Sequence, residues 1–258
     1  MGFVPLSVGI CFAVFAAMLI CMTLAHRLGR ARRRRHPGAG EQGQNTIESA
    51  VFGLMGLLLA FTFSGAAGRF EDRRHLIMEE ANGIGTAWLR LDLLPAAEQP
   101  AIRDHFRRYV DARLAIYRAV EDPQASRVAA ASADAAQRQL WDSVVPVLNA
   151  NDNQRLVNVV VPAFNEMFDL ATARMMAMET HQPLLVFGVL VALMLLAAVV
   201  SGLSMSANDR LSPLHMLVFA GTLALAAWLI LDLEFPRLGL MRIDSHDHLI
   251  TDLRATMG

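Results

Sequence analysis

"GRFEDRRHLIMEEANGIGTAWLRLDLLP", residues 68–95, starts where an apolar run stops and continues without a helix breaker until Pro95. The run before it, from Glu48 to Gly68, is long enough to cross a bilayer, which takes about 20 mostly apolar residues. Asn45 with Glu48 three positions on has the spacing of a capping box. Together these features predict one helix from Thr46 to Leu94. At 1.5 Å per residue it would be about 70 Å long, more than twice the hydrocarbon thickness. A helix of that length leaves the membrane and keeps going, so the chain is built around it.

Composition agrees. The 258 residues are 54% apolar and only 18% charged, far from the balance of an ordinary soluble domain. Three more stretches are long enough to span a bilayer: Phe3 to Ala25, Leu184 to Gly202, and Leu214 to Leu231. Glu48 and His26 border these runs at ends where a polar side chain reaches the headgroups. The first span lacks the basic start of a signal peptide, and its arginines follow the apolar run, so it is expected to stay as an anchor. Cys11 and Cys21 lie ten residues apart within it, on different faces of one helix, and read as small buried hydrophobes.

Orientation rests on arginine alone, because the chain has no lysine. "HRLGRARRRRHPG" carries six arginines between Arg27 and Arg35, which marks that loop as cytoplasmic. Residues 69–182 are then extracytoplasmic, periplasmic if the membrane is a bacterial inner one. The same run sets topology, and Arg32, Arg33, Arg34 and Arg35 also suit anionic lipid headgroups. Nucleic acid is not expected as a partner, since no aromatic residues interleave with the arginines and the net charge is −1.

Residues 69–182 hold 13 arginines against 16 acids, mixed along helical repeats without strand alternation. A helix is expected from Ala97 to Glu121, with Ile102, Phe106, Tyr109, Val110, Leu114 and Tyr117 as its apolar stripe. A third runs to Asn149, kinked or frayed by Pro146. A fourth opens near Asp152, interrupted by Pro162 and Pro183. The expected class is an all-α integral membrane protein whose four spans continue into a helical extracytoplasmic bundle. Its parts are an anchor (1–26), a basic loop (27–45), the long helix (46–94), a helical domain (95–182), a transmembrane hairpin (183–234) and a tail (235–258).

On the long helix Gly53, Gly56, Ala60, Ser64, Ala67 and Gly68 recur at three- and four-residue steps. Such a stripe lets helix backbones approach closely in lipid. Followed outward, the face becomes polar at Glu71, His75, Met78, Asn82 and Gly85. It is either a seam between helices of one subunit, favoured because such seams are common, or the wall of a path shared by several subunits.

Acids at a membrane edge are costly unless paired or wet. Asp232 and Glu234 sit at the end of the last span, and an ion pair of Asp232 with Arg69 or Arg73 is expected. Glu79 and Glu80 read as one exposed acid and one paired with an arginine. Asp244, His246, Asp247 and His248 are of metal-ligating types, but the two histidines are two apart, which does not converge in a helix. No metal, cofactor or catalytic constellation is expected: the chain has no nucleophile elbow and no glycine-rich phosphate loop.

"RFEDRRHLIMEEANGIGTAWLRLDLLP" and "LDLEFPRLGLMRI" resemble the bestrophin-like family of bacterial membrane proteins, over about Glu48 to Arg254. The resemblance singles out Glu80, Ala81, Asp232, Pro236 and Gly239. It implies kinship with pentameric chloride channels, although no acidic calcium-clasp cluster is present. The expected function is therefore an oligomeric small-ion channel, an anion channel by the resemblance. The alternative is a non-conducting membrane scaffold or sensor whose outer bundle binds a partner.

Overall fold

The computed structural model describes residues 3–35, 42–120, 122–150, 153–207, 212–243 and 247–258. These residues form eight α-helices, with no strand among them. They are α1 Phe3–Arg35, α2 Gln42–Arg90, α3 Gln99–Arg118, α4 Pro123–Ala150, α5 Gln154–Glu179, α6 Leu184–Ser204, α7 Pro213–Glu234 and α8 His248–Thr256. Four of the described segments contain helix long and apolar enough to cross a membrane. They match the four spans read from hydropathy, and the chain is an all-α membrane protein.

The chain divides into two units. The first comprises Met1–Phe70 and His181–Met241. Its core is formed where α1 packs against α6 and α7, through Met18, Met22, Met194, Ala197, Ala198, Ala220 and Ile230. Helix–helix affinity in lipid comes from close packing rather than from expulsion of water, and Gly202 supplies it: a Cβ there would lie 2.8 Å from the Met22 Cα. Phe52 of α2 meets Phe219 of α7 at 5.8 Å between ring centroids.

The second unit comprises Glu71–Thr180 and Arg242–Gly258. All six residues of the expected α3 stripe are buried. The Phe106 ring meets Trp88, Tyr109 and Phe164 edge-on, and Tyr109 and Phe164 meet Phe168. Such pairs prefer tilted geometry because ring faces are negative and edges positive.

Several boundaries differ from expectation. Helix α2 begins at Gln42, so Asn45 lies inside it and the capping-box spacing does not mark its start; the Asn45 side chain lies outside the described residues. The α-helix ends at Arg90 and tightens into a 3-10 turn at Leu91–Leu93. Helix α3 is shorter at both ends than expected, opening beside Pro100. Pro162 sits within an unbroken α5 and Pro146 within α4. The break comes at 180–183 instead, where Pro183 biases its predecessor away from helix.

The described end of the tail packs one face into the second unit. From Arg242 it belongs to the second unit, where Ile250 and Met257 are buried in the core and Arg254 pairs with Asp111 at 2.8 Å. An amphipathic turn of helix gains more by burying Ile250 than by staying in water.

Candidate conduction face and the clasps beside it

Helix α2 is 49 residues long, about 73 Å at 1.5 Å per residue. In the first unit Gly53, Gly56, Ala60, Ser64 and Gly68 are exposed, and Ala67 is half-buried. A Cβ built at Gly53, Gly56 or Gly68 would meet nothing within 4 Å. Among the described residues the stripe, apart from Ala67, is therefore not packed as a seam within one chain, the reading favoured from sequence. The close approaches between helices in this unit are made elsewhere, at Gly202 and Gly29, and Gly53, Gly56, Ala60, Ser64 and Gly68 face outward. In the second unit Glu71, His75, Met78 and Asn82 on α2 are exposed as well, and Gly85 is half-buried. His75 Nδ1 lies 3.3 Å from the Glu79 carboxylate, one turn on.

The other sides of α2 are held by arginines. In the first unit Arg69 pairs with Glu234, not with Asp232. Its Nη2 is 2.6 Å from Glu234 Oε2, its Nε donates at 3.2 Å, and a further bond at 2.9 Å reaches Gln182 Oε1. Glu234 is fully buried and also accepts from the Gln182 backbone N–H at 2.9 Å. His181 approaches it at 3.5 Å while stacking on Phe235. Charge-assisted bonds of this kind make a buried carboxylate tolerable.

Asp232 has a different task. Its two oxygens accept from the backbone N–H groups of Leu240 and Met241, each at 2.8 Å. The chain reverses over it after Phe235, whose carbonyl accepts from Leu238 and Gly239. Gly239 permits the reversal, because a Cβ there would lie 2.8 Å from the Asp232 Cγ; Pro236 is buried in the same turn. Asp232, Pro236 and Gly239 are thus one structural device.

In the second unit Arg73 is buried and donates to the Ala177 and Thr180 carbonyls at 2.9 and 2.8 Å, closing the open end of α5. Glu80, fully buried, takes Arg113 at 2.8 Å, Arg174 at 2.6 Å and the Tyr117 hydroxyl at 2.9 Å. Arg174 stacks 3.5 Å above the Tyr117 ring and pairs with Asp247 of the tail. Burial works against the Arg113 charge, but the Glu80 carboxylate, together with Tyr117 and Tyr109, outweighs it and holds the guanidinium pKa above its ordinary value. Burial, then Glu80, pushes the Tyr117 hydroxyl up as well. Ala81 packs against the same core, while Asn82 stays exposed.

Arg113, Arg174, Tyr117, Gln182 and the role of Glu234 were not foreseen. A signal existed for two of them. Arg113 falls on the stripe of Phe106, Val110 and Tyr117, and Arg174 continues that of Val160, Phe164, Met167 and Ala171. A lone arginine on an apolar stripe needs a buried acid. Among the tail residues of metal-ligating type, Asp247 is committed to Arg174, and Asp244 and His246 lie outside the described residues. Arg32, Arg34 and Arg35 are exposed on the last turns of α1, with Arg33 half-buried beside them.

Two single-substitution variants of a bacterial bestrophin homologue from Klebsiella pneumoniae have similar folds, each with a TM-score of 0.70 at 13% identity. One match covers 94% of this chain and 98% of the other, and the second covers 100% and 98%. The crystal structure of a membrane protein matches with a TM-score of 0.64 at 12% identity, covering 93% and 97%. No curated protein matches the chain significantly. A family model described as a Bestrophin-like domain matches residues 10–247, and the chain belongs to the bestrophin-like family.

Proposed function

We propose that the chain assembles with copies of itself into a membrane channel for small ions, with the outward face of α2 around the shared axis. The observation that carries this reading is the unpacked face itself. Gly53, Gly56, Ala60, Ser64 and Gly68 in the first unit, and Glu71, His75 and Asn82 in the second, are exposed. Small and polar groups gain nothing by facing hydrocarbon, so this face calls for water or a second copy. The family membership supports conduction, and the resemblance drawn from sequence suggests an anion. Six arginines between Arg27 and Arg35 support a cytoplasmic basic end in a bacterial inner membrane and a periplasmic second unit. The basic end is assigned to contact with anionic lipid, and no catalytic step is assigned.

The test is ion flux through the purified protein in planar bilayers, beside its mass in detergent. Ser64→Trp should cut conductance by at least about tenfold, since an indole on each copy would fill the path, while leaving the assembly mass unchanged. A single-copy mass or absence of flux overturns the reading and leaves a non-conducting scaffold or sensor; a Ser64→Trp channel of unaltered conductance overturns the assignment of the path to the α2 face.

A further inference from the structure

At the end of the spans nearest the basic run, an open crevice of about 120 Å³ lies between α2 and α6. It is lined by Ile47 and Glu48 from α2 and by Val200, Leu203 and Ser204 from α6. Its Ile47, Val200 and Leu203 walls offer water few hydrogen bonds. Its natural occupant is hydrocarbon.

One wall of this crevice is also the seat of the basic helix. A Cβ at Gly29 would lie 2.6 Å from the Ser206 Cβ and 3.4 Å from Leu203 Cδ2. The arginine-bearing end of α1 therefore rests on the same Leu203 that faces the crevice. From Arg27 to Arg35 the helix rises about 12 Å, and Arg27, Arg32, Arg34 and Arg35 on it are exposed. No acid interrupts residues 26–40. The one acid at the crevice is Glu48, half-buried in its wall. It would repel a bare phosphate but accept hydrogen bonds from headgroup hydroxyls.

We propose that this rim is a binding site for an anionic phospholipid with a hydroxyl-bearing headgroup. One acyl chain lies in the crevice against Ile47, Val200 and Leu203, the phosphate meets the exposed arginines of α1, and Glu48 accepts from the headgroup. This goes beyond a general attraction of arginine to an anionic surface, because it requires an apolar slot and a cationic edge that share one side chain. The orientation of the protein does not enter the argument.

The test is native mass spectrometry of the full chain, released from nanodiscs containing phosphatidylglycerol, phosphatidylcholine or both. Retention of phosphatidylglycerol in preference to phosphatidylcholine is expected. Replacing Arg32, Arg34 and Arg35 together by Gln should weaken it on the order of a hundredfold. These side chains are exposed, so folding is not at stake. Ser204→Trp, which fills the crevice and keeps every charge, should abolish the retained lipid; an unchanged melting temperature in lipid-free detergent confirms its fold, and Ile47→Trp supplies a second filler from the facing helix. Equal retention of both lipids, full retention after both filling substitutions, or displacement by soluble glycerol phosphate would overturn the proposal, the last by revealing a site for the free anion.

Discussion

Tyr109 is the side chain with the least company of its own kind. It is fully buried, ringed by Phe106 and Phe168, and its hydroxyl has no hydrogen-bond partner among the described residues. Burial above all pushes that hydroxyl above its ordinary 10.0, with Arg113 opposing and Glu80 adding to the rise. A group whose folded pKa lies above its unfolded one stabilises the fold fully below pH 10, and that contribution is lost as pH rises further, because the unfolded chain releases its proton first. Tyr109 and Tyr117 therefore each steepen alkaline unfolding above pH 10, by up to about 1.4 kcal/mol per pH unit. Tyr109→Phe removes one of the two. It should leave stability at pH 7 unchanged or raise it by about 1 kcal/mol, since an unpaired hydroxyl is removed. It should also roughly halve the alkaline slope in denaturant titrations between pH 9 and 11. A loss greater than about 1 kcal/mol at pH 7 would mean that the hydroxyl is bonded after all.

At the scale of elements, Glu80 gathers α2, α3, α5 and, through Arg174, the tail before α8. Glu80→Gln keeps the shape but takes the carboxylate from the buried Arg113 and leaves Arg174 with Asp247. It should cost about 3–5 kcal/mol of the second unit's stability, read as a lowered midpoint in urea followed by the near-ultraviolet signal of Trp88 and Trp141. A shift below about 1 kcal/mol would show that the clasp relaxes toward water. The helices themselves were legible: the spans from hydropathy, and α3 from the spacing of Ile102, Phe106, Val110 and Leu114. The partners of the acids were not. Asp232 and Glu234 are two positions apart on α7, and hydropathy alone does not say which meets an arginine. The choice is made by the turn after Phe235, which lays the Leu240 and Met241 N–H groups on Asp232 and leaves Glu234 to Arg69.

For the molecule as a whole, the open face of α2 is the feature that periodicity located and could not interpret. The Gly53 to Gly68 stripe has the spacing of a seam, and only the packing of α1 with α6 and α7 shows that, among the described residues, this unit's core takes Ala67 alone from it. Whether water reaches that face can be read chemically. In a chain with Cys11 and Cys21 replaced by Ala, Ser64→Cys in membranes should react with a charged, membrane-impermeant thiol reagent. Leu225→Cys, at an exposed apolar position of α7, should not. Equal protection of both positions would place the Ser64 face in lipid or in a dry contact.

The unbroken course of α2 also restricts how its gene can vary. Each residue turns the helix by about 100°, so deleting or inserting one codon between Arg73 and Glu80 would swing one against the other by that angle. Either the Arg73 bonds to the end of α5 or the Glu80 clasp would then be lost, with no loop to absorb the change. Seven added residues make nearly two whole turns, about 20° short. Length variation in this stretch is therefore expected in steps close to seven or eleven, as if the helix kept a reading frame of its own.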